Sequence, residues 1–155
     1  MNARDLPDIG IPASAYLPPH SIEAEHAVLG GLLIAGADAL DRIEGVICVE
    51  DFYRDDHRRI FTAAKTLGES GKPIDAVMVA EALQSMGQLE GVGGLPYIVA
   101  LASNTPSAAN IRRYADIVRE KSVLRGLNGV ASRLQEACIT PGPKDAEKIA
   151  SEAEM

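Results

Sequence analysis

The chain is predicted to be all-α: a compact bundle of short helices followed by a long helix and a truncated helical hairpin. Three observations carry this. Apolar residues recur at helical spacing in one segment after another, with Ser, Asp or Pro at the starts and Gly at the ends. No segment alternates at period two, so no sheet is indicated. Aromatic residues make up only 4% of the chain within a hydrophobic fraction of 46%, so Ala, Leu, Val and Ile must form the core, which suits close helix packing.

Residues 1–20 are expected to be a flexible N-terminal arm, because Pro7, Pro12, Pro18 and Pro19 forbid a helix there. A helical globule is expected over residues 21–106. Ser21 caps its first helix, with Glu23 and Glu25 in the first turn where the helix dipole favours acids. Ile22, Val28, Leu29, Leu32 and Leu33 give that helix an apolar side, and Gly30 and Gly31 read as a site of close approach to a neighbouring helix. A short helix is expected near Asp38–Val46. The next starts at Asp55 or Asp56, carries Ile60, Phe61, Ala64 and Leu67, and ends in Gly68-Glu69-Ser70-Gly71. Asp75 caps another, with Ile74 placed to pack on Val79 as a hydrophobic staple and Gly87 closing it. A turn at Gly91–Gly94 leads into a fifth helix over Leu95–Ser103.

The long helix is expected to open at Pro106-Ser107 and run to Cys138, as the first part of a hairpin arm over residues 107–155. Leu124, Leu127, Ala131, Leu134 and Cys138 are spaced 3, 4, 3, 4, a coiled-coil-type seam that Gly126 and Gly129 weaken. At about 45 Å such a helix outruns a small globule, so the seam needs a cover. Either it is a self-association or partner surface, with Asn128 and Tyr97 near its edge, or the second arm folds back over it within one chain. Pro141-Gly142-Pro143 makes the turn, and Asp145 restarts a helix that the chain leaves unfinished.

Composition narrows the function classes. The formal charge is −7, against the basic balance of a dedicated nucleic-acid-binding domain. Residues 1–106 carry 7 basic and 15 acidic side chains, whereas residues 107–136 carry 6 and 3. The long helix is therefore the one net basic element, and Arg112, Arg113, Arg119, Lys121, Arg125 and Arg133 read as a solvated face with little or no DNA binding. Cys48 and Cys138 have no metal spacing and read as reduced thiols. No apolar run is long enough to cross a membrane, and the expected location is cytoplasmic.

Catalytic readings fail on inspection. Gly68-Glu69-Ser70-Gly71-Lys72 is not a P-loop, because Thr66 stands where the first Gly belongs and Pro73 where the magnesium-binding hydroxyl belongs. Glu23-Ala24-Glu25-His26 holds one Glu-x-x-His, whereas a di-iron bundle needs two and two further Glu; it reads as a solvated helix face. In Asp55-Asp56-His57-Arg58-Arg59 the acids simply complement a helix start. No active site, metal or cofactor is expected within these residues.

Four segments together resemble the N-terminal domain of DnaB-type replicative DNA helicases: Ser21-Ile22-Glu23-Ala24-Glu25-His26-Ala27-Val28-Leu29-Gly30; Asp51-Phe52-Tyr53 with His57-Arg58 and Ile60-Phe61; Gly93-Gly94-Leu95-Pro96-Tyr97; and Pro106-Ser107-Ala108-Ala109-Asn110 with its continuation to Lys121. The resemblance covers roughly residues 17–139. It implies a non-catalytic scaffold that precedes an ATP- and Mg-dependent motor. Its hairpins would pair to build a hexamer collar that docks a DnaG-type primase, and a helicase loader would be a further partner. The alternative is a free-standing helical adaptor related to that domain.

Overall fold

The computed structural model describes residues 17–139 and 145–154, and every regular element among them is helical. Six α-helices follow in order: α1 (Ile22–Ile43), α2 (Asp55–Glu69), α3 (Ala76–Ser85), α4 (Gly94–Ser103), α5 (Ile111–Ile139) and α6 (Asp145–Ala153). Two single 3₁₀ turns, Val49–Asp51 and Glu90–Val92, join them. Most of the predicted arm and the Pro141-Gly142-Pro143 turn lie outside the described residues.

α1 is the central helix and packs on α2, α4 and α5. Ser21 caps it as expected, its Oγ accepting from Ala24 N at 3.2 Å. The short helix expected near residues 38–46 is instead the second limb of α1. Gly36, at φ 59°, kinks the run and lets it resume as far as Ile43.

The expected close approach at Gly30 is present. A Cβ there would stand 1.9 Å from Thr105 Oγ1 and 2.5 Å from the Leu101 carbonyl oxygen, so only glycine lets α1 meet the end of α4. Around this contact the core gathers Val28, Leu29 and Leu32 with Ile60, Leu83, Ile98 and Ile111, and the Phe52 and Phe61 rings lie 4.9 Å apart.

α2 ends in a Schellman turn. Lys72 N donates to Leu67 O at 2.9 Å and Gly71 N to Gly68 O at 3.0 Å, with Gly71 at φ 66°. The stretch that superficially suggested a nucleotide loop is this helix end. Asp75 caps α3 through Met78 N at 2.9 Å, and Ile74 and Val79 are both buried as the staple requires.

The long helix begins later than expected. Ser107 does not cap it; its Oγ accepts from Ala109 N at 3.0 Å in a local turn. The Arg42 guanidinium meanwhile donates hydrogen bonds to the carbonyls of Ala108, at 3.0 Å, and Ala109. Helical geometry starts at Ile111. The first turns of α5 belong to the core, through Ile111, Ala115 and Val118.

Candidate interaction face on the long helix

The orientation of α5 is set by a buried acid and two arginines. Asp51 ends the turn Val49–Asp51 and is only 2% exposed. Its Oδ2 accepts from Cys48 N at 2.9 Å and from the Cys48 thiol at 3.4 Å, and its Oδ1 accepts from Arg119 Nη1 at 2.8 Å. Burial pushes the Asp51 carboxyl up, but hydrogen bonds from the Cys48 N–H, Ser122, Arg119 and the Cys48 thiol overcome this and hold it below the ordinary carboxylate range. One turn and a half further along α5, Arg125 donates to the Asp51 carbonyl at 2.5 Å and to Pro19 O at 2.8 Å. Its guanidinium also lies 5.6 Å from the centroid of Tyr53, which stacks on His20.

Two of the six cations expected on a solvated face are therefore anchors. Arg119 and Arg125 fasten the helix to the globule.

Past Val118, its last buried residue, the helix opens to solvent. Leu124 is 40% and Leu127 59% exposed, and Asn128 and Ala131 are open as well. Leu134 and Cys138 instead face α6, where with Ala146, Ile149, Ala150 and Ala153 they line an apolar cleft of about 480 Å³. The seam is thus divided: its distal end meets the second arm and its proximal end is uncovered. Val123 and Val130, which the sequence reading missed, widen the open part. They fall at the same 4, 3 spacing with Leu127, so a second stripe was available in the sequence.

Tyr97 lies elsewhere. It sits on α4 against a polar network that the sequence reading also missed. Glu25 and His57, at 1% and 0% exposure, are buried, which corrects the solvated-face reading of Glu23–His26. Glu25 Oε1 accepts from Tyr53 N at 2.5 Å, and Oε2 lies 2.5 Å from His57 Nδ1. His57 Nε2 is 2.7 Å from Tyr97 Oη, which lies 3.3 Å from His26 Nε2.

One run of donors satisfies these atoms: His26 Nε2–H to Tyr97, Tyr97 O–H to His57, and His57 Nδ1–H to Glu25. Burial, helped by His57 and Arg54, lowers the His26 pKa against the opposing pull of Glu23 and Glu25. Burial raises that of Tyr97, with Arg54 opposing and Asp56 and Glu25 adding. The network ties α1, α2 and α4 together. Among the described residues no group of His, Cys, Asp and Glu could hold a metal ion, and no helix is long and apolar enough to cross a membrane.

Residues 17–120 match the family described as the DnaB-like helicase N terminal domain. The chain belongs to that family. The replicative DNA helicase DnaB of Haemophilus influenzae is 44% identical over 142 residues, covering 92% of this chain and 30% of the relative. The replicative DNA helicase DnaC of Bacillus subtilis is 42% identical over 138 residues, covering 89% and 30%. The chain thus spans about 30% of the length of these curated relatives.

The crystal structure of the N-terminal domain of DnaB helicase from Mycobacterium tuberculosis superposes with a TM-score of 0.81 at 36% identity, covering 89% of this chain and 99% of that one. A DnaB-like replicative helicase studied for its interactions with primase shares the fold at a TM-score of 0.66 and 22% identity, covering 86% of this chain and 31% of that one.

Proposed function

We propose that this DnaB-family domain is the scaffold of a replicative helicase, that its open α5 face joins a second copy of the chain, and that the assembled domains dock a primase. The observation that carries this is the uncovered apolar surface of Val123, Leu124, Leu127 and Val130 on a helix held rigidly at its base. Apolar side chains grouped on a projecting helix are stabilised by a partner surface. The DnaB-like helicase described with its interactions with primase supports the docking part of the reading.

Duplex unwinding, with its ATP and magnesium, belongs on this reading to a motor and not to this domain, where the one glycine-lysine stretch is a helix end. A cytoplasmic location and a helicase loader as a further partner follow the same family reading.

The test is made in the full-length helicase. Leu124→Asp with Leu127→Asp should leave ATP hydrolysis by the motor in place while weakening hexamer assembly and primase binding, read by light scattering and titration calorimetry. Full assembly and unchanged primase affinity in that variant would remove the proposal.

A further inference from the structure

Two packed units meet in the middle of α5. The first is the globule, whose last core residue on the helix is Val118 and whose last hydrogen-bonded anchor is Arg125. The second is the distal hairpin, where α6 packs over Leu134 and Cys138. Between them, residues 126–133 are exposed throughout except for Gly129, which is half-buried.

This neck holds both glycines of the helix. Neither has the usual structural reason to be glycine. A Cβ at Gly126 or Gly129 would meet nothing within 4 Å, in contrast to Gly30, and neither stands among the glycines with positive φ. What they change is the resistance of the helix to bending, since glycine has the widest backbone freedom and a weak preference for the helix. Ser132 adds to this. Its Oγ donates back to Asn128 O at 3.0 Å, a bond that competes with the helix ladder and favours bends.

We infer that residues 126–132 are a hinge, about which the distal half of α5 and α6 swing as one piece relative to the globule. The last anchor lies immediately before the first glycine, so the pivot is fixed on the globule side by Arg125. The return helix packs over Leu134, so the moving piece is stiffened just past the hinge. Such a device lets the arm keep one set of contacts while the globule takes up more than one orientation.

The experiment uses the full 155-residue chain. In a Cys48→Ser, Cys138→Ser background, Thr62→Cys on α2 and Gln135→Cys on distal α5 carry spin labels, and labelled protein is diluted with unlabelled chain so that only distances within one molecule are read. The hinge gives a broad distance distribution. Gly126→Ala with Gly129→Ala should narrow it by roughly half and slow hydrogen exchange of the amides in 126–133 about tenfold, with the α1 amides unchanged.

Both substitutions fall in open space, so the variant folds, which circular dichroism verifies. A distribution already narrow in the parent chain, or one left unchanged by the double substitution, overturns the hinge. So does a variant whose only defect is lost self-association, because the glycines would then serve the close approach of a second helix.

Discussion

His57 Nδ1 lies 2.5 Å from Glu25 Oε2, joining the first turn of α2 to the first turn of α1 across 32 positions of sequence. Neither side chain reaches solvent, so neither can replace the other by water. Removing one partner of a buried pair leaves a charge or dipole uncompensated.

His57→Ala is therefore expected to lower stability by about 3–5 kcal/mol. Tyr97→Phe, which removes the two hydrogen bonds of the hydroxyl in the same run, to His57 and from His26, should cost about 1–3 kcal/mol. Urea denaturation followed by circular dichroism measures both. A His57→Ala protein as stable as the parent would mean that the pair does not hold α1 to α2.

Two glycine substitutions should have opposite signs. Gly30→Ala forces a Cβ to within 2.5 Å of the Leu101 carbonyl, and overpacking of this kind costs about 1–3 kcal/mol. Gly126→Ala meets no neighbour and should raise stability by up to about 1 kcal/mol through helix propensity. Thermal melts of the two variants, compared with the parent, decide the contrast.

Asp51 and His26 both contribute to the acid side of the stability curve. The folded-state pKa of Asp51 is depressed, so its contribution is present above the ordinary carboxylate value of about 3.9 and is lost as pH falls through the lower folded value. That of His26 is also lowered, so the unfolded chain binds the extra proton and stability falls as pH drops below about 6.5. His26→Gln should flatten the curve just below that pH, and Asp51→Asn should flatten the limb below about 4. Denaturation midpoints across the pH range would contradict this if either variant kept the parent slope in its own window.

The parts of this fold legible in the sequence are those fixed by neighbours along the chain. The Ser21 and Asp75 caps, the Ile74–Val79 staple and the glycine-rich end of α2 each depend on residues within about one turn and a half of each other, which pattern reading reaches. Ser107 carried the same cap signal, but Arg42, more than 60 positions away, takes the carbonyls beyond it and delays the helix. The Glu25–His57 bond and the Arg125–Asp51 bond likewise depend on tertiary packing, and no local spacing announces them. For the candidate face, the 3, 4 spacing identified the exposed leucines, but which end of the seam α6 would cover depended on where the helices turn.

A chain ending after Gly126 retains every described anchor between α5 and the globule. It should melt cooperatively, within about 1 kcal/mol of the full chain, because tertiary packing supplies most helix stability. Ending it after Val118 removes Arg119 and Arg125 and leaves the buried Asp51 carboxylate short of a partner, at a cost of about 1–3 kcal/mol. Differential scanning calorimetry separates the two, and equal melting temperatures would show that the arginines do not secure the helix.

The central claim is that the open face of α5 joins a second copy of the chain. Sedimentation equilibrium of the 155-residue protein over a concentration series tests it most directly. The parent should pass from one chain to two as concentration rises, whereas Leu124→Asp with Leu127→Asp should remain a single chain with the same circular dichroism. A parent that stays a single chain throughout, or a folded variant that associates as tightly as the parent, would contradict the claim.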